Sequence, residues 1–132
     1  MPAADVGFAY AILRVVPRVE RGERLNVGVV VFCRQLEFLD LRTEVDEQRL
    51  SALAPELDLA EVRASLDAIR RVVCGQPDAG ALAALPASER FGWLVAPAST
   101  VIQPSDVHGG LTRDPRATLE RLFDALVSTH AT

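Results

Sequence analysis

Nine consecutive residues from Leu25 to Cys33, rich in valine and free of charged side chains, constrain the fold of this chain more than any other stretch. Apolar groups occupy both alternating positions, a pattern typical of a central β-strand that is covered on both faces. The stretch is too short to cross a membrane as a helix. It therefore predicts a soluble domain that is built around this strand.

Length and charge limit the classes of function. The chain has 132 residues and a net charge of −4, which predicts a single domain over residues 1–132 with its core between about residue 8 and about residue 127. Nonspecific nucleic-acid binding normally requires a surplus of basic residues, so the charge argues against a nucleic-acid partner. The first six residues lack the basic and apolar segments of a signal peptide, and we expect a cytoplasmic protein that is not bound to a membrane.

A second strand precedes the valine-rich one. The alternation from Phe8 to Val16 predicts a strand, and the polar, glycine-containing connection that follows it predicts an antiparallel hairpin. Symmetric pairing places Arg14 opposite Asn26 and Ile12 opposite Gly28. Glycine within a strand often marks a bulge or the close approach of another backbone or a ligand.

The remaining strands are shorter. Leu36–Arg42 is predicted as a third strand, with a bulge between Phe38 and Leu39 where the apolar phase shifts. Ser99–Gln103 is predicted as a fourth strand, and Ser105–Thr112 as a polar loop.

Helices follow the third strand and end the chain. Asp46 is predicted to cap a short helix that ends before Pro55. Longer helices are predicted over Asp58–Cys74 and Asp114–Val127, each starting at an aspartate cap. The sequence thus predicts an α+β domain, with a mainly antiparallel sheet of three or four strands covered by the two longer helices.

Metal and cofactor signatures are weak in this sequence. Cys33 and Cys74 have neither each other nor a histidine at metal-binding spacing, and both are expected to be buried thiols. Gly109-Gly110 does not belong to a phosphate-binding motif and is interpreted as a turn. We expect no metal site and no cofactor.

Six polar residues are candidates for binding a ligand, and they are Arg14, Asn26, Ser99, Thr100, Gln103 and His108. If the fourth strand lies beside the hairpin, Arg14 could anchor an anion while Asn26 and Gln103 orient it with their amides. The hydroxyl groups of Ser99 and Thr100 could assist. The alternative, equally open from sequence, is that Arg14 pairs with an acidic residue of the third strand, Glu37 or Asp40, while Asn26 satisfies a turn.

Two residues carry competing interpretations. His108 could act as a general base oriented by Asp106, with Ser99 or Thr100 as nucleophile. A histidine in a glycine-containing loop is more often simply solvated. Trp93 could anchor a protein interface or could pack in the core.

The chain resembles the bacterial DUF3037 family, which has no assigned function. The resemblance rests on Tyr10–Pro17, Leu25–Val30, Arg90–Leu94 and Ser99–Ser105, and it covers almost the whole chain. Similar proteins tend to carry an arginine where this chain has Ala98. If that arginine held an anion in the relatives, the activity would be altered here.

The resemblance implies no reaction, cofactor or catalytic residue. It implies a genomic context, because similar proteins are often encoded beside HipA-like kinase-domain proteins. We therefore expect an accessory module that binds a partner protein, with a HipA-like kinase as the candidate partner. The alternative is a small enzyme or sensor that binds an anionic or phosphorylated metabolite in a cleft around Arg14.

Overall fold

The structure of the protein, a computed structural model, describes residues 5–96 and 100–128. Within these residues a five-stranded antiparallel sheet is combined with four α-helices. The strands are β1 (Val6–Val15), β2 (Leu25–Cys33), β3 (Phe38–Thr43), β4 (Ile102–Pro104) and β5 (His108–Thr112). The helices are α1 (Glu47–Leu53), α2 (Leu59–Val73), α3 (Ala87–Val95) and α4 (Pro115–Leu126), and short 3₁₀ turns occupy Val19–Arg21, Pro77–Ala79 and Ala81–Ala84.

The sheet has the strand order β3-β2-β1-β4, and β5 continues along the same edge of β1 as β4. This confirms the single α+β domain and the antiparallel hairpin of β1 and β2. The sheet has five strands instead of three or four, because His108–Thr112, expected in a loop, pairs with β1. Strand β4 begins at Ile102, later than expected.

A bulge in β2 sets the register of the hairpin. Leu13 pairs with Gly28 and Arg14 pairs with Asn26, so Val27 is an extra residue on β2. The predicted pairing of Arg14 with Asn26 is confirmed, whereas the residue opposite Ile12 is Val29 instead of Gly28. The predicted bulge between Phe38 and Leu39 is wrong, since these two residues pair with Cys33 and Phe32 in unbroken register.

Each face of the sheet has its own apolar cluster. On the face we call the α2 face, odd-numbered residues of β1 pack with the buried side of α2, with α3 and with Leu50 of α1. On the opposite face, the α4 face, Val29 and Val31 pack with Leu119 and Phe123 of α4. The two longer helices therefore cover opposite faces, which explains why the valine-rich strand is apolar on both sides.

Local signals fix the ends of the helices. Asp46, Asp58 and Asp114 each accept hydrogen bonds from backbone N–H groups in the first turn of the following helix, as predicted. Gly75, with φ of 68°, ends α2, where its N–H donates to the Val72 carbonyl.

In the described part of the chain, every helix is too short or too polar to cross a membrane.

Candidate functional site

Helix α4 covers only part of its face of the sheet. It packs against β2 and β3, while Tyr10 and Arg14 of β1 are half-buried and His108 of β5 is exposed. We call the less covered part of this face, around Tyr10, Arg14, Gln103 and His108, the open half-sheet. Three of the predicted polar residues, Arg14, Gln103 and His108, lie on this surface, and Asn26 lies beside it on β2.

Arg14 occupies the centre of a row across three strands. It pairs with Asn26 on β2 and with Gln103 on β4, so the three residues are neighbours in register. Paired residues of antiparallel strands project from the same face. The expectation that Arg14, Asn26 and Gln103 lie together on neighbouring strands is confirmed.

The β2 bulge determines which face Asn26 occupies. Val29 and Val31 project to the α4 face, so an unbroken alternation would also direct Val27 and Leu25 to that face. Because Val27 is inserted, Leu25 and Val27 instead join the cluster of the α2 face. Asn26 is thereby directed to the α4 face, beside Arg14.

The two amides of this row bind main-chain carbonyls. Asn26 Nδ2 donates to the Leu126 carbonyl at 3.0 Å, which satisfies an unpaired carbonyl at the end of α4. Gln103 Nε2 donates to the Thr100 carbonyl at 3.0 Å. Both amides therefore position local structure; for Asn26 this is close to the alternative in which it satisfies a turn, although its partner is the end of α4.

Arg14 is held in an electrostatically unfavourable position. Its Nε is buried and, within the described residues, lacks a hydrogen-bond partner. Burial lowers the pKa of Arg14 below its ordinary value and the charge of Arg24 lowers it further, while the charge of Asp106 opposes both. The predicted alternative of a pair with Glu37 or Asp40 is not found within the described residues, where the Asp40 carboxylate lies 2.7 Å from Arg116 and Glu37 takes part in no ion pair.

His108 and Thr100 lie on opposite faces of the sheet. The imidazole of His108 packs on the ring of Tyr10, with centroids 5.3 Å apart, on the α4 face. Thr100 lines a groove on the α2 face, and its hydroxyl donates to the Ile102 carbonyl at 2.6 Å. The geometry does not bring Thr100 to His108 as a nucleophile. Ser99 and Ala98 lie outside the described residues.

Trp93 borders an apolar groove on the α2 face. The indole is 39% exposed and therefore does not belong to the core. The groove has a volume of about 490 Å³ and lies between α2, α3 and β4. Its lining is largely apolar and includes Trp93, Leu94, Ile69, Val72, Ile102 and Pro104.

Small residues on α2 create this groove, and sequence reasoning missed them. Ser65, Ala68 and Val72 are spaced to form a second stripe beside the core stripe of the helix, and all three line the groove. Because Ser65 and Ala68 have short side chains, space is left between α2 and Trp93. In the sequence, this second stripe extends the apolar side of α2 beyond the residues that pack in the α2-face cluster.

The expectation that both cysteines are buried is wrong for Cys74. Cys33 is buried as predicted, whereas Cys74 is exposed because it follows the last residue of α2. Burial of part of the thiol raises the pKa of Cys74, and Asp40, whose Oδ1 lies 3.9 Å from the Sγ, raises it further. The exposed thiol is thus shifted away from the reactive thiolate form.

We expect alkylation of native protein by iodoacetamide to modify Cys74 alone, and more slowly than an unperturbed thiol at the same pH. Asp40→Asn should accelerate the reaction severalfold, because removal of the nearby negative charge lowers the pKa of the thiol. Mass spectrometry of timed samples measures both rates, with Asp124→Asn as a control that removes an exposed carboxylate elsewhere. An unchanged rate in Asp40→Asn would contradict this account.

No group of three or more His, Cys, Asp or Glu residues that could hold a metal ion occurs in residues 5–96 and 100–128. The prediction of no cofactor stays a prediction.

Comparison with known proteins gives one match. The family model described as "Protein of unknown function (DUF3037)" matches residues 10–127, which include all five strands except the first four residues of β1. Searches of curated proteins and of solved structures returned no match.

Proposed function

Because the chain belongs to the DUF3037 family of proteins of unknown function, we propose its role from its own surfaces: it is an accessory module that binds a partner protein through the groove beside Trp93. The observation that carries this proposal is the exposed indole at the rim of a preformed apolar groove. Exposed aromatic side chains beside apolar pockets are common anchors of protein interfaces.

The edge of the groove favours a helix over a strand as its occupant. Strand β4 forms this edge, but Pro104 has no N–H to donate and the Ile102 carbonyl already accepts the Thr100 hydroxyl. Main-chain pairing with an added strand therefore has few free groups to use. An amphipathic helix binds by apolar side chains, which the lining of the groove accommodates.

The family context supplies the first partner to test. Since similar proteins are often encoded beside HipA-like kinase-domain proteins, we propose that an amphipathic helix of such a kinase occupies the groove. The protein would then act through the kinase, without catalysis of its own.

We expect the purified protein to bind the HipA-like kinase-domain protein of its own genome, and Trp93→Ala to weaken the affinity at least about tenfold, as for a hot-spot aromatic residue. Ala68→Glu, at an exposed helical position in the groove, should weaken it similarly because a charge enters an apolar surface. Isothermal titration calorimetry gives the affinities.

The matched control is Val19→Ala, which shortens a 64% exposed apolar side chain that does not line the groove and should leave the affinity unchanged. Circular dichroism verifies that each variant is folded. Absence of a complex with the wild-type protein would reject the kinase as partner. Equal affinity for wild type, Trp93→Ala and Ala68→Glu would reject the groove.

A second function, from a different class, is the binding of an anionic metabolite by an enzyme or sensor. The observation that favours it is the unpartnered Nε of Arg14 beside Arg24. This surface lies on the other face of the sheet from the groove.

A further inference from the structure

Two arginines, Arg14 on the open half-sheet and Arg24 directly before β2, form no ion pair within the described chain. Seven ion pairs are formed there, and neither Arg14 nor Arg24 takes part in any of them; the arginines that do are Arg18, Arg21, Arg42, Arg63, Arg71, Arg113 and Arg116. Five other arginines also take no part in these ion pairs of the described residues, so what sets Arg14 apart is its buried Nε without a hydrogen-bond partner next to a second cation; the five are Arg34, Arg49, Arg70, Arg90 and Arg121.

Strand pairing places the two arginines near each other, because Leu25 pairs with Val15 and Arg14 and Arg24 flank this pair as diagonal neighbours. The charge of Arg24 lowers the pKa of Arg14 and outweighs the opposing charge of Asp106. Two like charges held near each other repel, and a buried charged donor without a hydrogen-bond partner costs free energy of folding. A bound anion would remove both penalties.

The scaffold holds Arg14 in place before a ligand arrives. Strand pairing on both sides fixes its backbone, and its buried Nε faces protein. A ligand would therefore reach Arg14 through its terminal amino groups, while Arg24 is exposed and free to close on the ligand from the side. Preorganisation of this kind reduces the entropy lost on binding.

From this arrangement we propose that Arg14 and Arg24 together bind the phosphate group of a small phosphorylated metabolite on the open half-sheet. Two guanidinium groups match the charge of a phosphate monoester better than that of a single carboxylate. The proposal rests on the second function above, the binding of an anionic metabolite, and specifies its ligand; the site lies on the opposite face of the sheet from the Trp93 groove. It requires no chemical step at the phosphate.

The test uses inorganic phosphate as the probe and the full chain as the protein. Heteronuclear NMR titration at low ionic strength and neutral pH should give saturable shifts centred on Arg14, Asn26 and Gln103. Arg14→Gln and Arg24→Gln should each raise the dissociation constant for phosphate about tenfold or more, since each removes charge-assisted hydrogen bonds. Arg24 is exposed, so its variant tests the site even if Arg14→Gln does not fold.

Arg49→Gln is the matched control, because it removes the same charge from an exposed position on α1 and should leave the affinity unchanged. A parallel titration with acetate separates phosphate binding from binding of any anion. The proposal is overturned if phosphate does not saturate, if both site variants bind it as well as the control does, or if acetate binds as tightly as phosphate.

Discussion

Replacement of Gly28 by valine is expected to lower the free energy of unfolding by about 3 kcal/mol, as overpacking does in a filled core. A Cβ at this position would lie 2.9 Å from Thr43 Cγ2, 3.1 Å from the Arg42 carbonyl oxygen and 3.4 Å from Leu13 Cδ1. The carbonyl belongs to the neighbouring strand and cannot move without disturbing the pairing of β2 with β3. Urea unfolding followed by circular dichroism measures the loss.

The matched control for Gly28→Val is Gly7→Val. Gly7 also lies in a strand, but no atom lies within 4 Å of its ideal Cβ. The substitution there should be close to neutral, because valine is favoured over glycine in a strand and meets no obstacle. If both variants lost the same stability, the close packing of β3 on Gly28 would not be the cause.

Truncation of Leu119 to alanine is expected to lower the free energy of unfolding by about 3–5 kcal/mol. Leu119 is fully buried and lies in the α4-face cluster with Val29, Val31 and Phe123. Removal of its side chain leaves a cavity beneath α4, the helix that covers this face. The Asn26 hydrogen bond to the Leu126 carbonyl depends on the same docking of α4 and should also weaken.

Leu111→Ala provides the matched control, since the same atoms are removed from a leucine that is 69% exposed on β5. Its effect on stability should stay within about 0.5 kcal/mol. Amide hydrogen exchange gives a second measurement, in which Leu119→Ala should accelerate exchange throughout α4. Equal stability of the two variants would mean that α4 does not depend on this cluster.

Sequence reasoning succeeded where local signals determine the structure. The aspartate caps and Gly75 set the helix ends through hydrogen bonds within a few residues. The alternation in β1 predicted its two faces, since Ala11, Leu13 and Val15 pack on the α2 face and Tyr10 on the α4 face.

Sequence reasoning failed where pairing between segments far apart in the chain determines the strands. His108–Thr112 contains two glycines and exposed side chains, which locally favour a turn, but β1 has a free edge that this segment pairs with. The phase shift at Phe38 and Leu39 predicts a bulge, but β3 pairs with β2 without interruption, and these two side chains pack on opposite faces of the sheet. Pairing between strands that are far apart in sequence cannot be inferred from the periodicity of one of them.

The candidate site was predictable only in part. The hairpin pattern placed Arg14 beside Asn26, and the proline-bounded segment near Gln103 completed the row. Arg24 was overlooked because it lies in a charged connection where arginines are common. The groove beside Trp93 depends on the packing of α2 against α3 and β4, which no local pattern specifies.

Strand β4 is only three residues long, yet it belongs to both surfaces. Gln103 extends the Arg14 row on one face, while Ile102 and Pro104 line the Trp93 groove on the other. A ligand that displaces Gln103 would carry its two neighbours with it, because so short a strand moves as one unit. Occupants of the two faces would then alter each other's affinity, and thermodynamic reciprocity makes the coupling free energy equal in both directions.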